Sequence, residues 1–189
     1  MKWLVAITAI MLANLFYAAE SSPAYNAVAE FHERLIEMSR LGSQVERERF
    51  VREPLRGLFD IERITKVSVG RTWRKLDEAM QEDLLDLVGE LIVATYASRF
   101  DADRGQKFTL LGSETVRRGT VVRSEIKPAG RDAVKLDYFF QNGKVLNVAA
   151  NGVSDLSLRR ADYSSVLKTD GLEGLIKHLE LKLQELRGE

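Results

Sequence analysis

Cysteine is absent from all 189 residues and only two histidines occur, His32 and His178. That excludes disulfide scaffolds, thiol nucleophiles and thiolate or multi-histidine zinc sites. Charge of one sign is not in excess either: 28 Lys and Arg stand against 28 Asp and Glu. A nucleic-acid binder needs a basic surface to displace condensed counterions, so no nucleic-acid partner is expected. Glycines occur singly at turn positions, and no Gly-x-Gly-x-x-Gly or phosphate loop follows a predicted strand. Ser154 has no histidine near it in sequence, so nucleophilic catalysis lacks support. Acidic pairs such as Glu46 with Glu48 and Asp101 with Asp103 lie in charge-dense segments that read as solvated helix faces. No cofactor is implied.

What is present begins with the N-terminus. Lys2 precedes the apolar run Trp3 to Ala13, and small residues follow at Ala18, Ala19, Ser21 and Ser22. This pattern predicts a cleaved secretory signal peptide over residues 1–21, with the cut at about residues 19–24. The uncharged stretch from Trp3 to Ala19 is 17 residues, short of the roughly 20 that a spanning helix needs. No cysteine follows it, so lipoprotein processing is excluded. Residues 22–189 should form one exported, soluble domain, long enough to bury a core without disulfides.

That domain reads as helical, then stranded, then helical, which predicts a single α+β fold. Val28, Phe31, Leu35 and Met38 mark a first helix, Pro54 a break, and Leu58, Ile61, Ile64 and Val67 a further helix. The longest helix should start after the N-cap Asp77 and run to about Arg104. Four strands are predicted at Lys107 to Glu114, Thr120 to Lys127, Ala133 to Gln141 and Lys144 to Ala150. Asn142-Gly143 should make a type I′ hairpin turn, because both central positions need positive φ. Alternation puts Val134, Leu136, Tyr138 and Phe140 on one side of the third strand, with Lys135, Asp137 and Gln141 on the other. Ser154 should cap the next helix, and Asp170-Gly171 should separate it from a final one that packs on the sheet. Both histidines read as surface or boundary residues. Apolar stripes at these spacings fit a filled core as well as a cavity.

Four segments together resemble the MlaC, or toluene-tolerance, family. They are Val69-Gly70-x-x-Trp73-x-x-Leu76; Ala94 to Asp101; Asn151-Gly152-Val153-Ser154; and the tail Arg160-x-x-Tyr163-x-x-x-Leu167-x-x-x-Gly171-x-x-Gly174-Leu175-Ile176. The likeness spans about Ala24 to Leu186, and Ala94 to Asp101 with Arg159-Arg160 is similar to the hopanoid-associated HpnM branch. Two positions depart from the family pattern: Val145 stands where a Trp is usual and Asn147 where an acidic residue is usual.

The resemblance implies an NTF2-like fold, with helices over a curved four-stranded, mainly antiparallel sheet enclosing an apolar pocket. It also implies a periplasmic carrier, not an enzyme, that moves a phospholipid or hopanoid between an inner-membrane ABC transporter with an MCE component and an outer-membrane lipoprotein complex. On that reading the pocket-lining residues are Ile92, Tyr96, Phe100, Leu110, Val122, Leu136, Tyr138, Phe140, Val148, Val153, Leu156, Tyr163 and Leu167. Arg99, Arg159 and Arg160 are placed to meet a phosphate near the mouth. An isomerase-type enzyme of the same fold would instead need a carboxylate such as Asp137, or the Tyr138 hydroxyl, inside the pocket, and alternation turns Asp137 away. A ligand-free adaptor docking through the final helix is the third reading.

Overall fold

The computed structural model describes residues 22–102 and 105–189; the predicted signal peptide lies outside the described residues. Helix α1 (Pro23–Met38) starts at Ser22, whose Oγ accepts from the Tyr25 amide, with Pro23 in the first turn, where its missing N–H costs nothing. Helix α2 (Gln44–Leu58) opens with a complete capping box between Ser43 and Glu46. It runs through Pro54 instead of breaking there. Proline removes one intrahelical bond, but Val51 and Leu55 on the inward face are fully buried, and that packing holds the last turn in place.

Helix α3 (Ile61–Val69) is capped by Asp60, and the 3₁₀ turn that follows (Gly70–Lys75) buries Trp73. Helix α4 (Glu78–Arg99) is capped by Asp77 as expected, but ends at Arg99, before the predicted Arg104. Phe100 N–H closes the last turn on the Tyr96 carbonyl, and the chain then leaves for the sheet.

The sheet is an antiparallel meander in the order β1-β2-β3-β4-β5. Its strands are β1 (Lys107–Val116), β2 (Gly119–Lys127), β3 (Val134–Gln141), β4 (Lys144–Ala150) and the two-residue β5 (Val153–Ser154), which the sequence reading did not resolve as a strand. Asn142 and Gly143 both take positive φ, 54° and 78°, as a type I′ hairpin requires. Bulges at Leu110/Gly112 and Phe139/Phe140 add twist to the flanking strands. Ser154 caps helix α5 (Asp155–Thr169), and helix α6 (Gly171–Arg187) closes the chain.

The final helix does not pack on the sheet. Its buried Leu175 and Leu179 pack against α4 and α5, because the apolar side of the sheet is already faced by α1, by the α2–α3 corner and by α5. Helix α1 lies across β1 and β2. Phe59, at the α2–α3 corner, bridges to Val145 of β4, and the Asp60 amide donates to the Val145 carbonyl at 2.9 Å. Val28, Leu35, Leu55, Val88 and Val145 are fully buried, each contributing about 1.5–3 kcal/mol of transfer free energy if its side chain is large. Over β3 and β4 the helices α2, α3 and α5 meet without closing completely. A space is left there.

Candidate functional site: an apolar cavity with a cationic edge

Cross-strand register sets the sheet side of this space. Tyr138 sits opposite Val122 and Val148, and Leu136 opposite Ser124 and Ala150, so successive rows project toward the helices. Over them stand the end of α4, the start of α5 and parts of α1 and α3. Between these elements lies an open-mouthed cavity of about 700 Å³, within the ~300–1,000 Å³ typical of small-molecule sites. Leu35, Phe59 and Ile64 line it from the core; the turn at Pro128 to Arg131, together with Val153 and Leu158, lines it from the surface.

Eight residues predicted for the pocket face this cavity: Ile92, Tyr96, Phe100, Leu136, Tyr138, Val148, Val153 and Leu156. Five do not. Val122 is fully buried on β2, beneath α1, and Phe140 is buried opposite Val145 at the hairpin end, where the Phe59 corner fills the space. Leu110 borders a separate groove between α1 and β1. Tyr163 is buried and Leu167 half-buried in helix packing, one and two turns beyond the cavity-facing start of α5. Of the three predicted arginines, Arg99 and Arg159 line the cavity and Arg160 is exposed outside it.

Several lining residues were not anticipated. Ile126 and Val134 share a register row next to Leu136, and period-two alternation carried that signal. Arg131 comes from a turn whose path only tertiary structure fixes. Asn147 lines the cavity and caps α5: its Oδ1 accepts from the Leu156 amide and the Ser154 hydroxyl, each at 3.0 Å. The other departure from the family pattern, Val145, is fully buried core.

Aromatic rings form much of the inner wall. Phe59 and Tyr96 meet edge to face at 5.7 Å, and Tyr96 stacks with Phe100 at 6.5 Å. Burial pushes the Tyr96 phenol well above its ordinary pKa, with Asp155 adding to the effect, and burial does the same to Tyr138. Both are neutral hydroxyls at any physiological pH. His32 is buried rather than at the surface: it stacks on Phe108 at 4.0 Å and shares a 3.0 Å hydrogen bond with Tyr138. Burial lowers its pKa to about 4, so the ring is neutral too. His178 is half-buried beside Asp162 at 3.2 Å.

Among the described residues, charge enters the lining as Arg99, Arg131, Arg159 and Asp155. Burial works against the Arg159 charge, but Tyr163 and Asp155 outweigh it and hold its pKa above the ordinary guanidinium value. Asp137 is not in the lining. Among the described residues no three histidine or carboxylate groups gather as a metal site, and no helix is long and apolar enough to cross a membrane.

Comparison with known proteins agrees with this architecture. No curated protein matches the sequence. A solved structure of a phospholipid-binding protein from Ralstonia solanacearum, in complex with a phospholipid, superimposes with a TM-score of 0.73 at 22% identity, covering 86% of this chain and 98% of that one. It has the same fold. The model of the MlaC protein family matches residues 27–181, which span every element from α1 into α6. The chain belongs to the MlaC family.

Proposed function

We propose that the protein is a periplasmic phospholipid carrier, delivered by its signal peptide, which holds the acyl part of one lipid in the cavity over β3 and β4. The observation that carries this reading is the cavity itself: about 700 Å³, open-mouthed, walled by aliphatic and aromatic side chains, with Arg99, Arg131 and Asp155 exposed and Arg159 largely covered. The phospholipid held by the Ralstonia protein of the same fold supports it. The carrier exchanges its cargo with an inner-membrane ABC transporter bearing an MCE component and with an outer-membrane lipoprotein complex.

Physical chemistry bounds what such a carrier does. Each methylene kept out of water is worth about 0.8 kcal/mol, so two chains of about sixteen carbons would forfeit roughly 25 kcal/mol if they crossed an aqueous space bare. A dry cavity removes that cost. A bilayer offers chains the same environment, so moving lipid from membrane to protein is nearly neutral in the hydrophobic term, and direction comes from the partners. Among the described residues the one carboxylate in the lining, Asp155, is paired with Arg159 at 3.0 Å and is not a free base.

Lipid exchange tests this reading. The full chain is incubated with donor vesicles carrying a self-quenched fluorescent phospholipid and unlabelled acceptor vesicles. Transfer should rise in proportion to protein concentration; transfer no faster than the protein-free rate contradicts a carrier.

A further inference from the structure

The cavity wall contains a largely buried cation that the described residues satisfy only in part. The Arg159 side chain is only 15% exposed, yet a guanidinium carries five N–H donors and this one makes two hydrogen bonds: Nη2 to Asp155 Oδ2 at 3.0 Å, and Nη1 to the Tyr163 hydroxyl at a long 3.4 Å. Its Nε is closed off with no partner among the described residues, so the donors left to meet a ligand are the remaining N–H groups of Nη1 and Nη2. Buried donors are paired in the great majority of structures, and charged ones are costly to leave short. Asp155, half-exposed, balances one charge from the solvent side. Arg99 and Arg131 also line the cavity, so among the described residues cations outnumber carboxylates there by three to one. Asn147 adds a neutral donor: its Oδ1 is committed to the α5 cap, which leaves the amide nitrogen as its free end.

Resting on the carrier reading above, we propose that Arg159, with Asn147 and Arg99 in the same cavity lining, is an anion subsite that selects lipids bearing a negatively charged oxygen next to their chains, and discriminates against uncharged lipids, polycyclic ones included. The phosphodiester of a phospholipid and the carboxylate of a fatty acid both carry that oxygen. A guanidinium takes either by charge-assisted hydrogen bonds, which strengthen where water is excluded. The aliphatic walls accept any chain; Arg159 reads what is attached to it.

The test uses the full chain, recovered after export and stripped of lipid, with displacement of an uncharged pyrene-alkane reporter from the cavity. Dipalmitoyl phosphatidylglycerol should displace the reporter at least tenfold better than dipalmitoylglycerol, which has the same chains and no anion. Arg159→Gln should bring phosphatidylglycerol down to the diacylglycerol level, and binding of the uncharged reporter by the variant shows that the cavity persists. Asn147→Asp keeps the Oδ1 cap and adds a carboxylate, so it should weaken phosphatidylglycerol alone. Palmitate displacing as well as phosphatidylglycerol, and only with Arg159 present, assigns the subsite to carboxylate lipids as well; weak palmitate assigns it to the phosphodiester. Equal displacement by the charged and uncharged diacyl lipids, or a preference that survives Arg159→Gln, overturns the subsite and leaves the carrier reading intact. Failure of the reporter and every lipid to bind overturns the carrier reading itself.

Discussion

His32 on α1 and Tyr138 on β3, 106 positions apart, share a buried 3.0 Å hydrogen bond that ties the first helix to the middle of the sheet. Tyr138 is 1% exposed and borders the cavity, so this bond fixes one wall of the site. Burial lowers the His32 pKa from 6.5 to about 4. A folded pKa below the unfolded one means that the unfolded chain binds more protons between pH 6.5 and 4. The stability that neutral His32 provides is therefore complete above pH 6.5 and lost as pH falls toward 4, by about 3 kcal/mol at most. Urea unfolding at pH 7.5 and 4.5 measures it, with His32→Gln as reference, since Gln keeps a partner for Tyr138 without titrating. The wild type should lose more stability on acidification than the variant; identical losses would contradict the assignment.

Val148 faces the cavity from β4. Val148→Trp fills the space without adding charge, and should cut phospholipid binding at least tenfold while leaving the melting temperature unchanged or raised. Leu136→Arg, from the neighbouring strand, should also abolish binding by putting a cation among the chains. Fluorescent-lipid titration with a thermal melt reads both, and full lipid binding by the Trp variant would sink the cavity assignment.

Arg187, two residues from the chain end, locks α6 onto α2 and α4. Its Nη2 donates to Glu48 Oε2 at 2.8 Å and to Glu90 Oε2 at 3.0 Å, and its Nε donates to Glu48 as well. Glu48 has a side chain only 7% exposed, with Arg52 at 3.9 Å as its other cation. Arg187→Ala leaves that carboxylate with only Arg52 at 3.9 Å and the Gln44 amide among its described partners and should cost about 1–3 kcal/mol, read as a lower urea midpoint. An unchanged midpoint would show that the last turn of α6 contributes nothing.

Gly119 opens β2 with φ 142°, and a Cβ there would lie 1.9 Å from the Phe140 carbonyl oxygen. No side chain can give way, because the obstacle is backbone. Gly119→Ala should destabilise by on the order of 2–3 kcal/mol, whereas Gly130→Ala, at an open turn, should cost less. Equal midpoints for the two variants would contradict this.

Local signals carried most of the element boundaries into the sequence reading. Asp77 and Ser154 act as caps, and Asn142-Gly143 makes its hairpin, because each depends on a few adjacent residues. Alternation marked Leu136 and Tyr138, but it marked Phe140 and Val122 equally. Only the placement of α1 and of the Phe59 corner separates cavity from core along one strand face. His32 looked superficial beside Glu33 and Arg34, although its spacing from Val28 and Leu35 puts it on the buried stripe. Arg159 was legible as a cation near the site; its burial and its unfilled Nε were not, since both depend on how α5 settles over β4.

Native mass spectrometry tests the central claim most directly. The full chain is expressed in a Gram-negative host, released from the periplasm without detergent, and weighed intact and after denaturation. A folded protein carrying one phospholipid per chain is the result predicted. A folded, exported protein that is repeatedly free of lipid would contradict the carrier account.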